Sequence, residues 1–259
     1  MRSATLAAAI LLSIGAARAD EVAPAVLHDL APTGTLRAAI NLGNPVLARR
    51  GADGAAEGVS VDLARALGEK LGVPVALATY DGAGSVSGTA GANAWDVCFL
   101  ATDPKRAEGI AFTAPYVTIA GSYLVPVGSA LKDIASVDRP GIRVAVGRGS
   151  AYDLYLSRAL RHATLVRAPT SAAAVALFAD ETLEVAAGVE QPLAAYAADH
   201  PEVRLLPGHF MAIEQAMGLP AGRPAGAAYL ARFVAEMKTA GFVARALRAH
   251  GQDAALARP

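Results

Sequence analysis

The segment from Thr102 to Pro126 reads TDPKRAEGIAFTAPYVTIAGSYLVP, and Arg106 is its residue best equipped for chemistry. A guanidinium offers a planar fork of donors that matches a carboxylate two-handed, and it stays charged at any physiological pH. Six residues later Phe112-Thr113-Ala114-Pro115-Tyr116 makes a rigid aromatic corner, followed by an apolar stretch from Val117 to Val125. On these residues alone two roles are open to Arg106. It could grip an acidic solute, or it could lie on a short helix paired with Asp103 or Glu108.

Gly149-Ser150-Ala151 is a second place where an anion could sit. A strand turns into a helix there, glycine permits close backbone approach, and the first helical amides lack intrahelical acceptors. The Ser150 hydroxyl either adds a donor or caps its own helix, and both can hold. Tyr152 stands early on the same helix. The five histidines (His28, His162, His200, His209, His250) are scattered without metal-ligand spacing, so no metal and no cofactor is expected. Cys98 is the sole cysteine and lies in the apolar run Val97-Cys98-Phe99-Leu100, which suits a buried structural thiol. The chain has no G-x-S-x-G elbow, no phosphate loop and no evident nucleophile–base pair.

The elements that must hold these residues alternate. Thr35 to Ile40 reads as a strand, and Gly58 opens a helix with Val59, Leu63, Ala66, Leu67 and Leu71 on one face. Gly72 stops that helix, and Val75 to Ala78 is the next strand. A short helix over 85–93, a buried strand over 97–100 and a helix starting at Pro104 follow. After the crossing at 117–125 and a polar connection over 128–141, alternation resumes. Strands are expected at 142–146, 164–166, 183–187 and 203–205, with helices at 151–160, 171–178 and 191–198. Residues 213–219 read as a return crossing, and helices over 224–239 and 242–250 close the chain. Such alternation argues for parallel βαβ units. Spacing alone leaves open one continuous doubly wound sheet or two lobes joined by two crossings.

Five segments decide how these elements are to be read. Gly34-Thr35-Leu36-Arg37, Gly58-Val59-Ser60-Val61-Asp62-Leu63-Ala64, Trp95-Asp96-Val97, the Arg106 to Tyr116 stretch and Gly147-Arg148-Gly149-Ser150 occur in this order. Together they resemble the "G-x-L-R", "G-f-d-v-D-l-a", "y-D-v", "T-x-x-R … F-S-x-P-Y" and "G-x-G-T" segments of the family 3 bacterial extracellular solute-binding proteins. The resemblance implies an α/β clamshell of the type II periplasmic binding protein class, two βα lobes joined by two crossing strands. It implies lobe 1 over 34–122 plus 210–259 and lobe 2 over 123–209; the Pro, Ala and Asp residues of 20–33 read as a flexible lead.

In that family the arginine holds the ligand carboxylate, which assigns Arg106 here, with Gly149, Ser150, Ala151 and Tyr152 facing it from the other lobe. Leu100, Ala101, Thr102 and Asp103 fill the region that usually receives the ligand ammonium. Asp103 could supply the counter-charge or simply cap the helix at Pro104. Asn44 occupies the loop where relatives often carry an aromatic; it could line a smaller, more polar wall or be a plain turn residue before Pro45. Relatives that bind α-amino acids usually carry an aspartate just after the strand at 183–187. Here Gly188-Val189-Glu190-Gln191 stands there, so Glu190 either meets an ammonium one position late or opens a helix.

The first residues set the compartment. Arg2, an apolar run from Ala4 to Ala16 and Ala17-Arg18-Ala19 read as a signal peptide over 1–19, too short to span a bilayer comfortably. Export to the periplasm is expected. The sequence carries 23 basic and 23 acidic residues; without Arg2 and Arg18 the balance is 21 to 23, a net of about −2. That gives no basic footprint for nucleic acid or for a membrane surface.

The expected function is a periplasmic substrate-binding protein of an ABC importer. It would act as a monomer, close on a small carboxylate-bearing solute (an amino acid or related polar metabolite), and hand it to a membrane permease. The alternatives are a cyclohexadienyl-dehydratase-like enzyme using Glu190 as general acid, or an accessory periplasmic module of an electron-transfer or sensor system.

Overall fold

Strand–helix alternation runs through residues 22–258, the part of the chain that the computed structural model describes. The signal peptide expected over 1–19 lies outside the described residues. The first half comprises α1 (Pro24–Leu30), β1 (Leu36–Asn41), the hairpin β2 (Arg49–Arg50) and β3 (Ala56–Glu57), α2 (Val59–Leu71) and β4 (Val75–Tyr80). It continues with α3 (Ala83–Gly88), β5 (Val97–Ala101), α4 (Pro104–Ala107) and β6 (Ile110–Phe112). β7 (Val117–Pro126) leads into β8 (Arg143–Gly147), α5 (Ala151–Ala159), β9 (Thr164–Ala168) and α6 (Ser171–Asp180). β10 (Val185–Val189), α7 (Glu190–Asp199) and β11 (Val203–Leu205) follow, then β12 (Met211–Pro220), α8 (Pro224–Thr239) and α9 (Phe242–Ala249).

The sheet runs β4-β1-β5-β12-β7-β10-β8-β9, with β6 on β12 and β11 on β7. β1 is parallel to β4 and β5, and β8 is parallel to β9 and β10, so each half has its own βα core. Between them β7 and β12 lie antiparallel, with Val117 opposite Gln215 and Gly121 opposite Met211. The chain does return. That antiparallel ribbon makes two lobes of the alternation and joins them in a curled sheet.

Local chemistry explains the elements that aim the site. In α2 the apolar face packs inward, and Gly72 ends the helix in the left-handed region at φ 69°, its N–H returning to Glu69 and Gly68 carbonyls. β5 is buried throughout, as expected of a central strand covered on both faces. Asp96, just before β5 and fully buried, accepts from Arg37 Nε at 2.9 Å and Nη2 at 2.7 Å, and from Arg223 Nη1 at 3.3 Å. Three segments far apart in sequence are pinned by this one carboxylate.

Two expectations shift. The lead expected to be flexible contains α1, which packs on α8 with Val26 and Leu30 buried. Asp29 ties it down by accepting from the Gly226 amide at 2.9 Å, a partner 197 residues away that no local pattern announces. The strand expected at 183–187 begins at Val185 instead. Thr182 takes a positive φ of 47° and Glu184 turns back to pair with Arg143, so the ladder starts after them. β10 then runs on to Val189, and α7 starts at Glu190 rather than Gln191.

Candidate functional site

Arg106 is the second-last residue of the single turn α4, whose start is fixed by Pro104 and by Asp103 accepting from the Lys105 amide. The guanidinium passes inward, leaving the residue 4% exposed. Nη1 donates to the Ala101 carbonyl at 2.7 Å. Nη2 donates across the cleft to the Gly149 carbonyl at 2.9 Å. The Nε–H is buried and has no partner. Burial pulls its pKa down to about 10, against the opposing pull of Asp103 and Cys98, so the group remains a cation at neutral pH. Asp103 is no ion-pair partner for it; its carboxylate takes Arg158 of α5 at 2.7 Å.

The N-terminus of α5 faces this guanidinium from the other lobe. Ser150 caps it, accepting from the Asp153 amide at 3.0 Å. Gly149 stands at φ 68° and corrects one expectation. Its amide is taken by Asp153 Oδ2 at 2.8 Å, so it turns its carbonyl, not its N–H, toward Arg106. The free donors of this helix end are the first-turn amides of Ala151 and Tyr152. The Tyr152 hydroxyl donates to Ser171 Oγ at 2.8 Å.

These groups enclose a small cell of 30 Å³, with room for about one or two water-sized groups. Arg106, Asn44, Ala101, Ser150, Ala151 and Tyr152 line it. Asn44 is 7% exposed, and its Oδ1 is buried without a partner. Leu100 and Thr102 do not line it. Strand alternation sends Ala101 to the cell and Leu100 to the opposite face, where it packs near Trp95 and Cys98. The Thr102 amide is engaged by the Glu214 carbonyl at 2.9 Å. Trp95 and Tyr116 are wholly buried packing residues. Burial pushes the Cys98 thiol up to about 12, which makes it inert.

Sequence reasoning missed Gln215, Ser171, Asn41 and Val189, which also line the cell. Gln215 is a polar residue within the apolar return crossing, and that anomaly was the available signal. Glu190 is the main correction. It lies outside the cell, half-exposed in a recess by the crossing strands, with His209 at 3.9 Å. Because β10 runs two residues further than expected, Val189 is the residue facing the cell and Glu190 falls beyond it. From there Glu190 reaches neither an ammonium nor a proton acceptor held in the cell.

A wider chamber of 760 Å³ adjoins the cell, and Gly43, Tyr152, Ser171 and Val189 line both. A buried cation, two free helix amides and a side chamber thus meet between the two lobes. Residues 36–252 match the description "Bacterial extracellular solute-binding proteins, family 3". The chain belongs to this family.

Solved structures share the fold at low sequence identity. The solute receptor for L-cysteine of Neisseria gonorrhoeae has a TM-score of 0.75 and 20% identity, covering 85% of this chain and 90% of that one. An amino acid ABC transporter substrate-binding protein of Streptococcus pneumoniae bound to L-arginine has a TM-score of 0.74 and 15% identity, covering 85% and 96%. An ancestral amino acid-binding protein, a precursor of cyclohexadienyl dehydratase, has a TM-score of 0.72 and 21% identity, covering 86% and 97%. No curated protein sequence matches. Among the described residues, no helix of this family 3 protein is long and apolar enough to cross a membrane.

Proposed function

We propose that this protein is a periplasmic substrate-binding protein that closes on a small carboxylate-bearing solute and presents it to the permease of an ABC importer. The observation that supports this reading is the Arg106 guanidinium. It is buried, charged and already in contact with the opposite lobe, yet it holds an unpartnered Nε–H at a cell lined by both lobes. A carboxylate entering there accepts from Nε and Nη2 together and takes over the place of the Gly149 carbonyl. The Ala151 and Tyr152 amides complete the anion site from α5. Because such a ligand touches both lobes, it favours the closed state by differential contact, which is the only way a ligand shifts such an equilibrium.

The test is a thermal-shift panel of amino acids and organic acids, followed by calorimetry on the hits. A ligand at a hundred times its Kd stabilises the fold by about 2.7 kcal/mol. Arg106→Ala is expected to weaken binding by about a hundredfold or more, since it removes both charge-assisted bonds. Arg106→Lys keeps the charge but loses the fork, and should recover only part of it. A hit whose affinity Arg106→Ala leaves unchanged would reject the reading. A panel with no hit at all would favour an accessory module instead.

A further inference from the structure

The cell and its chamber also restrict the kind of acid. Two features of the lining bear on this, the placement of charge and the nature of the wall.

Among the described residues no Asp or Glu lines the inner cell, and Arg106 is its one charged residue. The nearby acids are committed elsewhere. Asp103 holds Arg158 and the Lys105 amide, and Asp153 holds Arg167 and the Gly149 amide. Glu190 faces His209 in another recess. An ammonium beside the carboxylate would therefore be buried near a cation with no anionic partner of its own. An unpaired buried charge is among the costliest arrangements in a protein. What the cell does provide is an unsatisfied acceptor, Asn44 Oδ1, suited to a neutral hydroxyl.

The chamber is of a different character. Leu42 and Pro45 line it from the loop after β1, Val175 and Ala176 from α6, and Leu193 and Tyr196 from α7. Its acids, Asp81 and Asp180, are both exposed. At 760 Å³ it lies within the usual range of small-molecule sites, about 300 to 1,000 Å³, and is far larger than a short polar side chain fills.

We infer that the solute is a carboxylic acid without positive charge at its α carbon, carrying a bulky apolar group: a 2-hydroxy acid with an aromatic or branched side chain. This rests on the Arg106–carboxylate reading above. The carboxylate sits on Arg106, the 2-hydroxyl donates to Asn44, and the apolar group fills the chamber between α6 and α7.

The test compares matched pairs by calorimetry on the purified protein: phenyllactate against phenylalanine, 2-hydroxyisocaproate against leucine, with lactate and arginine as further arms. Each hydroxy acid is expected to bind tighter than its amino acid by about tenfold or more, and phenyllactate tighter than lactate. Val189→Asp places a carboxylate at the cell and should shift the preference toward the amino acids. Aspartate is favoured at this position, the N-cap of α7, so the variant is expected to fold. Amino acids binding as tightly as their hydroxy analogues, or arginine binding tightest, would overturn the inference and leave the carboxylate reading standing. Phenyllactate binding no better than lactate would overturn the apolar half of it. No binding by any of these acids would overturn the inference alone, whereas binding that Arg106→Ala does not weaken would bring down both.

Discussion

Single side chains in this protein do work that their neighbours in sequence do not suggest. Asp138 is an example away from the site. Its carboxylate gathers the amides of Arg161, His162 and Ala163 at 2.7 to 3.0 Å, which fixes the turn between α5 and β9. These bonds, the Ala163 amide foremost, hold its pKa below the usual aspartate value. A carboxyl depressed in the folded state contributes stability above its unfolded pKa of about 3.9 and loses it as pH falls through the lower folded value. Asp138→Asn should therefore lower Tm at pH 7, and the gap from wild type should close as the pH drops below about 4. Thermal melts across that range check it; a gap that stays constant down to pH 2 would deny the carboxylate this part. Arg106 was legible at the same scale because its type, spacing and surroundings carried the motif. The Val189–Glu190 misplacement was not legible, since moving a strand's bounds by two residues leaves its alternation unchanged.

Between elements, the two lobes share a device that sequence alternation does not show. In β1, Arg37 donates its backbone amide and Nε to one oxygen of Asp96 and Nη2 to the other. In β8, Arg143 does the same to Glu184. Each acid directly precedes the neighbouring parallel strand, and each follows a non-glycine residue at positive φ, Asn93 at 52° and Thr182 at 47°. The same clamp thus fixes the start of β5 in one lobe and β10 in the other. A different pair works across the lobes. Arg158 of α5 meets the buried Asp103 that caps α4, close to the cell. Arg158 is half-exposed, so its contribution is modest, within the roughly 0.2 to 1 kcal/mol of such pairs. Arg158→Ala should lower ligand affinity up to about fivefold, since the pair exists only when the lobes meet. The unliganded protein should also show a larger radius of gyration by small-angle X-ray scattering. Unchanged affinity and radius would make the pair incidental to closure.

In the whole molecule the two lobes meet on bare backbone. A Cβ added at Gly84 of α3 would stand 2.8 Å from the Arg148 carbonyl and 3.1 Å from Gly149 Cα, both in the opposite lobe. Gly84 is not at positive φ, and in a helix alanine is favoured over glycine by up to about 1 kcal/mol. Gly84→Ala is therefore harmless or helpful to an open molecule and hostile to a closed one. The expected outcome is a ligand-free Tm equal to or above wild type, with affinity reduced about tenfold or more. Full affinity in Gly84→Ala would mean that ligand binding does not bring the lobes this close.

Sequence alone determined which residues are cationic, which turns need glycine, and the βα alternation, because these depend on side-chain chemistry and local periodicity. Five ordered motifs also carried the family and the clamshell. Tertiary structure decided which of those residues share a space. It brought Gln215, Ser171 and Val189 to Arg106, turned the Gly149 amide toward Asp153, anchored α1 on α8, and left Glu190 outside. Those outcomes rest on strand register and on contacts between segments distant in the chain, and neither is encoded in any local stretch of residues.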